Sequence, residues 1–547
     1  MPESAAQQLP FAITLRAGTS LANRTGAWRS ERPVYRDLMP PCNDACPAGE
    51  DVQGWLRLVQ EGRYEQAWRR LMRDNPFPAV MGRVCYHPCQ AACNRAQLDE
   101  EVGINAVERF LGDEAIRRGW RVTVDAAATG RRVLIVGAGP AGLSAAYQLR
   151  LRGHEVVVRD AGTRPGGMMR YGIPTYRLPR DVLDAEIDRL TTLGVRLELG
   201  RAVTDVAAAM REEGFDAVFL AIGAQLSRRT YLPAGDSAKI LDALTLLRDT
   251  AEGSRPRLGR RVVVYGGGNT AMDAARSARR LGATDALVIY RRTRDRMPAH
   301  ELEVAEAVAE GVQLRWLSTI VAAGPGTVTV ERMELDETGF PRPTGELEQL
   351  DADTVVLAIG QDVDRSLVAN LPGVAVVDGA IQVGPDMMTG HPGVFAGGDA
   401  VSADRTVTTA VGHGKRAARH LDAWLRGTTY TPAERPPLAG FDRLNPYYYP
   451  TAPGPHRPRL HPSRRLSTFD EVVGGLDEPA ALAAARRCLS CGNCFECDNC
   501  YAMCPDGAVV KLGPGQGFTI DLDYCKGCGI CAAECPAGAI TMVPEAS

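Results

Sequence analysis

The chain has 547 residues, 45% of them apolar and 24% charged, with a formal net charge of −3. That length calls for several domains with separate cores, and the near-neutral charge argues against a nucleic-acid partner. No stretch is apolar for long enough to span a membrane, and the N-terminus lacks the charged region and apolar core of a secretory signal, so a soluble cytoplasmic protein is expected.

All fifteen cysteines fall between Cys42 and Cys93 or between Cys488 and Cys535, leaving none from Asn94 to Arg487. The middle therefore cannot supply the cysteine pair that a disulfide reductase needs beside its cofactor. Any redox chemistry in the middle would have to pass its electrons to the cysteine-rich ends.

Residues 1–35 are polar and irregular (RAGTSLANRTGAWRSERP), an extended arm that is either a loose tail or a strap across a neighbouring domain or partner. Over 36–128 a helical domain is expected. Val52, Trp55, Leu56 and Val59 recur at helical spacing just after Cys46-Pro47. Cys85, Cys89 and Cys93 follow at three-residue gaps and, with Cys46, supply four thiolates for one [4Fe-4S] cluster; zinc is the rival occupant. The motifs CPAGEDVQGWL, NPFP and GRVCYHPCQAAC resemble the N-terminal iron-sulfur domain of the glutamate synthase small subunit family, which includes the flavin domains of dihydropyrimidine dehydrogenase and of NADPH-dependent ferredoxin oxidoreductases. The resemblance implies a second N-terminal cluster, held by an upstream C-x-x-C, the cysteine matching Cys42, and a Gln or other ligand in a later helix. Here the upstream text is VYRDLMPP, without the pair, and Glu108 in INAVERF stands near the Gln position.

A first dinucleotide cradle opens the segment 129–258. Val133–Val136 reads as a buried strand, Gly137-Ala138-Gly139-Pro140-Ala141-Gly142 as a tight turn, Leu143–Leu151 as a helix and Val156–Val158 as a second strand closed by Asp160. The glycines let backbone N–H groups approach a pyrophosphate, and Asp160 can accept from a ribose hydroxyl. RPGGMMRYGIP resembles the family's GG-x-x-x-YGIP segment, which implies that the backbone of Gly166, Gly167 and Met168 lies along a flavin. VFLAIGAQ (Val218–Gln225) reads as a strand leading out of this half.

The second cradle, over 259–358, is Gly266-x-Gly268-x-x-Ala271, with Asn269 and Thr270 between the last two. Two cradles imply two dinucleotides. The following strand ends in Tyr290, Arg291 and Arg292 rather than an acid, which suits the 2′-phosphate of NADP; arginines at a strand end can also be a solvated edge, so NAD stays open. DTVVLAIGQ, carrying Gly360, and GVFAGGDA return the chain to the first domain over 359–427. The resemblance implies that Asp399, after Gly398, hydrogen-bonds FAD beside its pyrophosphate, and that the helix TVTTAVGHGKRAARHL, containing Thr408, enters beneath the isoalloxazine. This split order assigns FAD to the first cradle and NAD(P) to the insertion.

Residues 428–487 are proline-rich, contain Tyr447-Tyr448-Tyr449 and read as a wrapping linker. The last segment, 488–547, holds Cys494-x2-Cys497-x2-Cys500-x3-Cys504-Pro and Cys525-x2-Cys528-x2-Cys531-x3-Cys535-Pro, two copies of the bacterial ferredoxin pattern in which the fourth cysteine of each run crosses to the other cluster. Cys494, Cys497, Cys500 and Cys535 are expected around one [4Fe-4S] cluster, and Cys525, Cys528, Cys531 and Cys504 around the next. Three clusters of four ligands leave Cys42, Cys488 and Cys491 over. With Glu108 they are expected to form a fourth cluster joining the chain ends; the alternatives are spare thiols or a shifted register.

The expected architecture is α/β: two Rossmann-like domains, an N-terminal α-helical iron-sulfur domain and a C-terminal α+β two-cluster ferredoxin-like domain. A hydride carries two electrons and a cluster takes one, and a flavin converts between them. The expected role is therefore an NAD(P)H-dependent FAD/iron-sulfur electron-transfer subunit, with no acid/base residue needed for hydride transfer. The tail CKGCGICAAECPAGAI resembles the small iron-sulfur subunit of 2-oxoacid:ferredoxin oxidoreductases, which makes such an enzyme the leading partner. A free ferredoxin, a glutamate synthase large subunit and a non-turnover adaptor or redox sensor are the alternatives.

Overall fold

The computed structural model describes residues 24, 25, 27, 29–228, 233 and 239–545. Its centre is a five-stranded parallel sheet in the order Val394–Ala396, Ala217–Leu220, Arg132–Val136, Glu155–Asp160, Arg196–Leu199. The strands read as short unbroken apolar runs because both faces are covered, the pattern of a parallel sheet. A second parallel sheet runs Gln313–Arg315, Asp285–Ile289, Arg261–Tyr265, Thr354–Leu357, Ile240–Asp242. Each sheet carries one Gly-rich turn, at the ends of Arg132–Val136 and Arg261–Tyr265. An antiparallel sheet of Ser318–Gly324, Thr327–Leu335 and Pro341–Asp351 is inserted between strands of the second, and Ile320, Val328 and Val330 pack on Val263 and Ile289.

The cysteine-rich N-terminal region is helical. Val52–Gln60 and Tyr64–Leu71 bury Trp55 and Trp68, and Pro78–Val84 lies along Ile104–Arg118. The helix Val407–Leu425 ties this region to the first sheet. It crosses the helix Pro140–Leu151 so closely that a Cβ on Gly414 would sit 2.3 Å from the Ala141 carbonyl oxygen, while one on Gly412 would sit 2.1 Å from that of Pro47.

Two segments differ from their expected character. The described part of the arm is a built strand: Glu31–Tyr35 pairs antiparallel with Ile540–Pro544, adding an edge to the ferredoxin-like module. Residues 1–23, 26 and 28 lie outside the described residues. The stretch expected to be linker ends in a helix, Glu478–Arg486, whose Ala481, Ala484 and Ala485 are buried against Val52–Gln60 and Ile104–Arg118. Among the described residues no helix is long and apolar enough to cross a membrane.

Glycine within a helix ordinarily gains stability on replacement by alanine. At Gly414 the opposite is expected: the added methyl overlaps backbone, so Gly414→Ala should cost about 1–3 kcal/mol, read as a lowered thermal midpoint and loss of yellow cofactor on gel filtration.

Candidate functional site: a two-cradle cavity backed by four cysteine cavities

Both cradles open into a single cavity of about 1050 Å³. They are built alike. Gly137 (φ +109°) and Gly266 (φ +147°) lie where a Cβ would meet the carbonyl oxygens of Ala221 at 2.3 Å and Ala358 at 2.1 Å, so each turn is pressed onto the next strand's exit. Gly139 and Gly268 then start the helices Pro140–Leu151 and Asn269–Arg280, and no side chain caps either N-terminus. Uncapped N–H groups at the mouth of a cavity, beside a Gly268 with open space where its Cβ would stand, fit the pyrophosphate of a dinucleotide.

On the first side the cavity is lined by Gly137, Gly139, Pro140, Ala141, Asp160, Gly167, Met168, Gly398 and Asp399. Asp160 accepts from the backbone N–H groups of Ala138 and Gly162, each at 2.7 Å, which fixes its carboxylate at the strand end. Burial pushes the Asp399 carboxyl up. On the second side stand Gly266, Gly268, Asn269, Thr270, Arg291, Arg292 and Gly360. Arg291 and Arg292, at the strand end, bring two guanidinium groups to this side, a charge that suits a 2′-phosphate. Four expected residues do not line this cavity. Gly142 closes the turn, where a Cβ would meet the Gly137 oxygen at 2.0 Å; Gly166 donates its N–H to Ala138 at 2.8 Å; Ala271 is packed in the core; and Thr408 faces a cysteine cavity instead.

The fifteen cysteines gather around four small cavities. The first is lined by Cys46, Cys85 and Cys89 with Glu50 and Glu108, the second by Cys42, Cys93, Cys488 and Cys491. The third holds Cys494, Cys497, Cys500 and Cys535, and the fourth Cys504, Cys525, Cys528 and Cys531. The expected grouping at the N-terminal end needs correction, because Cys93 and Glu108 exchange places. Cys93 begins the 3₁₀ turn Asn94–Gln97, which faces the C-terminal segment: Asn94 donates to Cys491 Sγ at 3.5 Å and to the Ala439 carbonyl at 2.8 Å. Glu108 lies on the second turn of Ile104–Arg118, facing inward, and shares the side-chain amide of buried Asn75 with Glu50, each at 2.9 Å. Burial pushes Glu50 up to about 7 and Glu108 well above its usual range.

The Cys488 segment is delivered by a salt-bridged clamp. Arg487 pairs with Asp99 at 2.9 Å and donates to the Glu100 and Glu101 carbonyls, while Arg95 pairs with the same Asp99 at 2.5 Å and donates to the Arg487 carbonyl. Burial pushes the thiols of Cys85 and Cys488 up to about 12 and that of Cys491 to about 11. Burial at this level keeps the free thiols neutral, and a bound cation would take the charge of their thiolates, which fits a set of metal-cluster ligands.

Several residues at these sites carry no local signal in the sequence. Val84 and Tyr86 line the cofactor cavity while Cys85 between them lines the first cysteine cavity. The Tyr86 ring stacks on His300 of the inserted domain, with centroids 4.3 Å apart. Thr408, which donates to Met81 Sδ at 3.6 Å, lines the cavity of Cys85 from the helix whose Val407 lines the cofactor cavity. Of the three tyrosines, Tyr447 is 87% exposed, whereas Tyr449 is turned inward, donates to the Leu489 carbonyl at 2.9 Å and stands among Cys488, Cys491, Cys497 and Cys535. Tyr35 reaches Cys500.

A pair of parallel-sheet nucleotide folds sharing one cavity, flanked by iron-sulfur modules, defines a flavin-dependent pyridine-nucleotide oxidoreductase. The chain belongs to the pyridine nucleotide-disulphide oxidoreductase family, whose model matches residues 131–414; residues 30–120 match dihydropyrimidine dehydrogenase domain II, 4Fe-4S cluster, and residues 493–539 match the 4Fe-4S dicluster domain. It is 39% identical to the NADP(+)-dependent formate dehydrogenase subunit beta of Moorella thermoacetica, covering 82% of this chain and 70% of that one. It is 33% identical to the NADPH-Fe(3+) oxidoreductase subunit beta of Geobacter sulfurreducens, covering 82% and 75%. It is 34% identical to the glutamate synthase [NADPH] small chain of Azospirillum brasilense, covering 72% and 88%. The protein is an oxidoreductase that uses FAD, a pyridine nucleotide and [4Fe-4S] clusters.

If Arg291 and Arg292 select the 2′-phosphate, replacing both with alanine should raise KM for NADPH about tenfold or more, the loss of one charge-assisted hydrogen bond. KM for NADH should stay within twofold, roughly the scatter of such comparisons. Equal effects on the two nucleotides would remove them from that role.

Proposed function

We propose that the protein is an NADPH-dependent electron-transfer subunit whose four cysteine cavities form one row of [4Fe-4S] sites running from the cofactor cavity to the C-terminal module. The observation that carries this reading is adjacency. Cys85 lies between two residues of the cofactor wall, Ile104 lines both the first and second cysteine cavities, and only two residues separate Cys491 of the second from Cys494 of the third. When bound, FAD converts the two-electron chemistry of a nicotinamide into the one-electron chemistry of the clusters. The chain's own part is geometric. The uncapped helix ends hold the two pyrophosphates, Asp160 and Asp399 orient the flavin nucleotide, and the shared cavity brings the nicotinamide half against the flavin half. No side chain is assigned to move a proton in hydride transfer.

In this reading Cys42, Cys93, Cys488 and Cys491 hold a fourth cluster with ligands from both ends of the chain. Glu108 or Glu50 completes the ligands of Cys46, Cys85 and Cys89. NADP as the preferred nucleotide is supported by the two strand-end arginines and by the names of the relatives. A cytoplasmic site is supported by fifteen cysteines without a disulfide among the described residues.

The relatives are subunits by name, and the partner proposed here is a 2-oxoacid:ferredoxin oxidoreductase, on the strength of the CKGCGICAAECPAGAI tail. A formate dehydrogenase catalytic subunit is the second reading, favoured by the 39% identical relative. Co-purification from the native cell, followed by assay with a 2-oxoacid plus coenzyme A or with formate, separates the two.

Anaerobic addition of NADPH should bleach flavin and cluster absorbance together; yellow protein whose iron stays oxidised would defeat the electron-transfer reading. Iron should be about sixteen atoms per chain at four per cluster, falling to about twelve in Cys488→Ser with Cys491→Ser. A count of about twelve in the unaltered chain would remove the fourth cluster.

A further inference from the structure

The arm that precedes the helical domain is a working part of the ferredoxin-like module. Thr25 donates from its hydroxyl to the Cys525 carbonyl at 2.7 Å, Arg29 donates to the Leu522 and Cys525 carbonyls at 2.6 and 3.1 Å, and Glu31–Tyr35 pairs in register with Ile540–Pro544. The strand ends at Tyr35. Its ring stacks on Phe518, with centroids 6.3 Å apart, and lines the cavity of Cys494, Cys497, Cys500 and Cys535, where its hydroxyl stands 3.2 Å from Cys500 Sγ.

Strand pairing and ring stacking would be served equally by phenylalanine. The hydroxyl is what remains to be explained. A sulfur bound to iron carries no proton, so in the loaded protein the phenol must be the donor. A hydrogen bond to a thiolate ligand strengthens as negative charge builds on the sulfur, and charge builds when the cluster takes an electron. The bond therefore favours the reduced form.

We propose that Tyr35 donates a hydrogen bond to the sulfur of Cys500 and thereby raises the reduction potential of the cluster held by Cys494, Cys497, Cys500 and Cys535, the ferredoxin-type site nearest the helical domain. This rests on the reading of those cysteines as cluster ligands. The consequence is a built-in energy difference between the two ferredoxin-type sites, set by a residue 465 positions away in the chain.

The test is a redox titration of the full-length, iron-loaded protein, followed by electron paramagnetic resonance, comparing the parent with Tyr35→Phe. At fixed ambient potential the reduced-to-oxidised ratio of one cluster should fall about tenfold, equivalent to about 59 mV for a one-electron couple. Iron per chain and the other clusters should be unchanged. In the parent, Fe–S stretching bands of that cluster should shift in D2O, and the shift should vanish in Tyr35→Phe. Phe518→Leu, which removes the stacking but keeps the hydroxyl, should leave the potential in place. An unchanged potential in Tyr35→Phe overturns the proposal. So does iron loss in that variant, which would make the hydroxyl a packing element, and so does an equal shift in Phe518→Leu. Failure of the underlying assignment looks different: the unaltered chain would itself lack the cluster's signal and its iron.

Discussion

The arrangement depends on two backbone approaches along one helix. Val407–Leu425 touches the first cradle's helix at Gly414 and the loop behind Cys46 at Gly412, in both cases at distances that only glycine permits. Because the helix is wedged between these two bodies, its first turn is shared by both sites: Val407 faces the cofactor cavity and Thr408 faces Cys85. A side chain at either glycine would have to separate the flavin half from the cysteine half. The wall between nucleotide chemistry and iron chemistry is thus kept to a single layer of residues by backbone geometry rather than by any strong bond.

A different kind of force holds the ends of the molecule. The second cysteine cavity needs residues 42, 93, 488 and 491 together, and the segment carrying the last two follows a long irregular stretch that could sit in many places. The buried pairs of Asp99 with Arg95 and Arg487 fix it. Such pairs add little net stability once desolvation is counted, yet they penalise every misplacement that would leave a buried charge alone. The same logic applies where the inserted domain meets the first: Arg177 reaches across to Asp273 and Glu303. The two cradles face one another because the wrong angle would strand these ions.

What was legible in the sequence was what is local. Each cradle declares itself within thirty residues, since strand, glycine turn and helix are consecutive, and the paired ferredoxin motifs carry their ligand exchange in their spacing. The partition of the N-terminal ligands is not local. Cys93 follows Cys89 at the same interval that separates Cys89 from Cys85, and nothing in that regularity shows that the helix Pro88–Ala91 turns the third cysteine away from the other two. Glu108 stands out as a candidate ligand, but its spacing does not say which cysteines it joins; the bond from Asn75, shared with Glu50, is what places it in the first cavity. The pairing of Glu31–Tyr35 with Ile540–Pro544 depends on a partner chosen by the tertiary fold.

The family takes its name from a disulphide, and the residues that match it here, 131–414, contain no cysteine at all. The thiols have been moved off the nucleotide-binding fold and onto a separate helical domain, which re-enters the cofactor cavity through Val84 and Tyr86. That exchange alters what the fold can do. A disulphide beside a flavin accepts electrons as a pair and its S–S bond breaks as it does so, whereas an iron-sulfur cluster takes electrons singly with its thiolate bonds intact. Tyr86, next to Cys85, is held by stacking on His300, which fixes the Cys85 position where a disulphide would require sulfurs free to move. The nucleotide-binding element is the cavity with its two uncapped helix ends; what stands on its far wall decides whether electrons leave as a pair or one at a time.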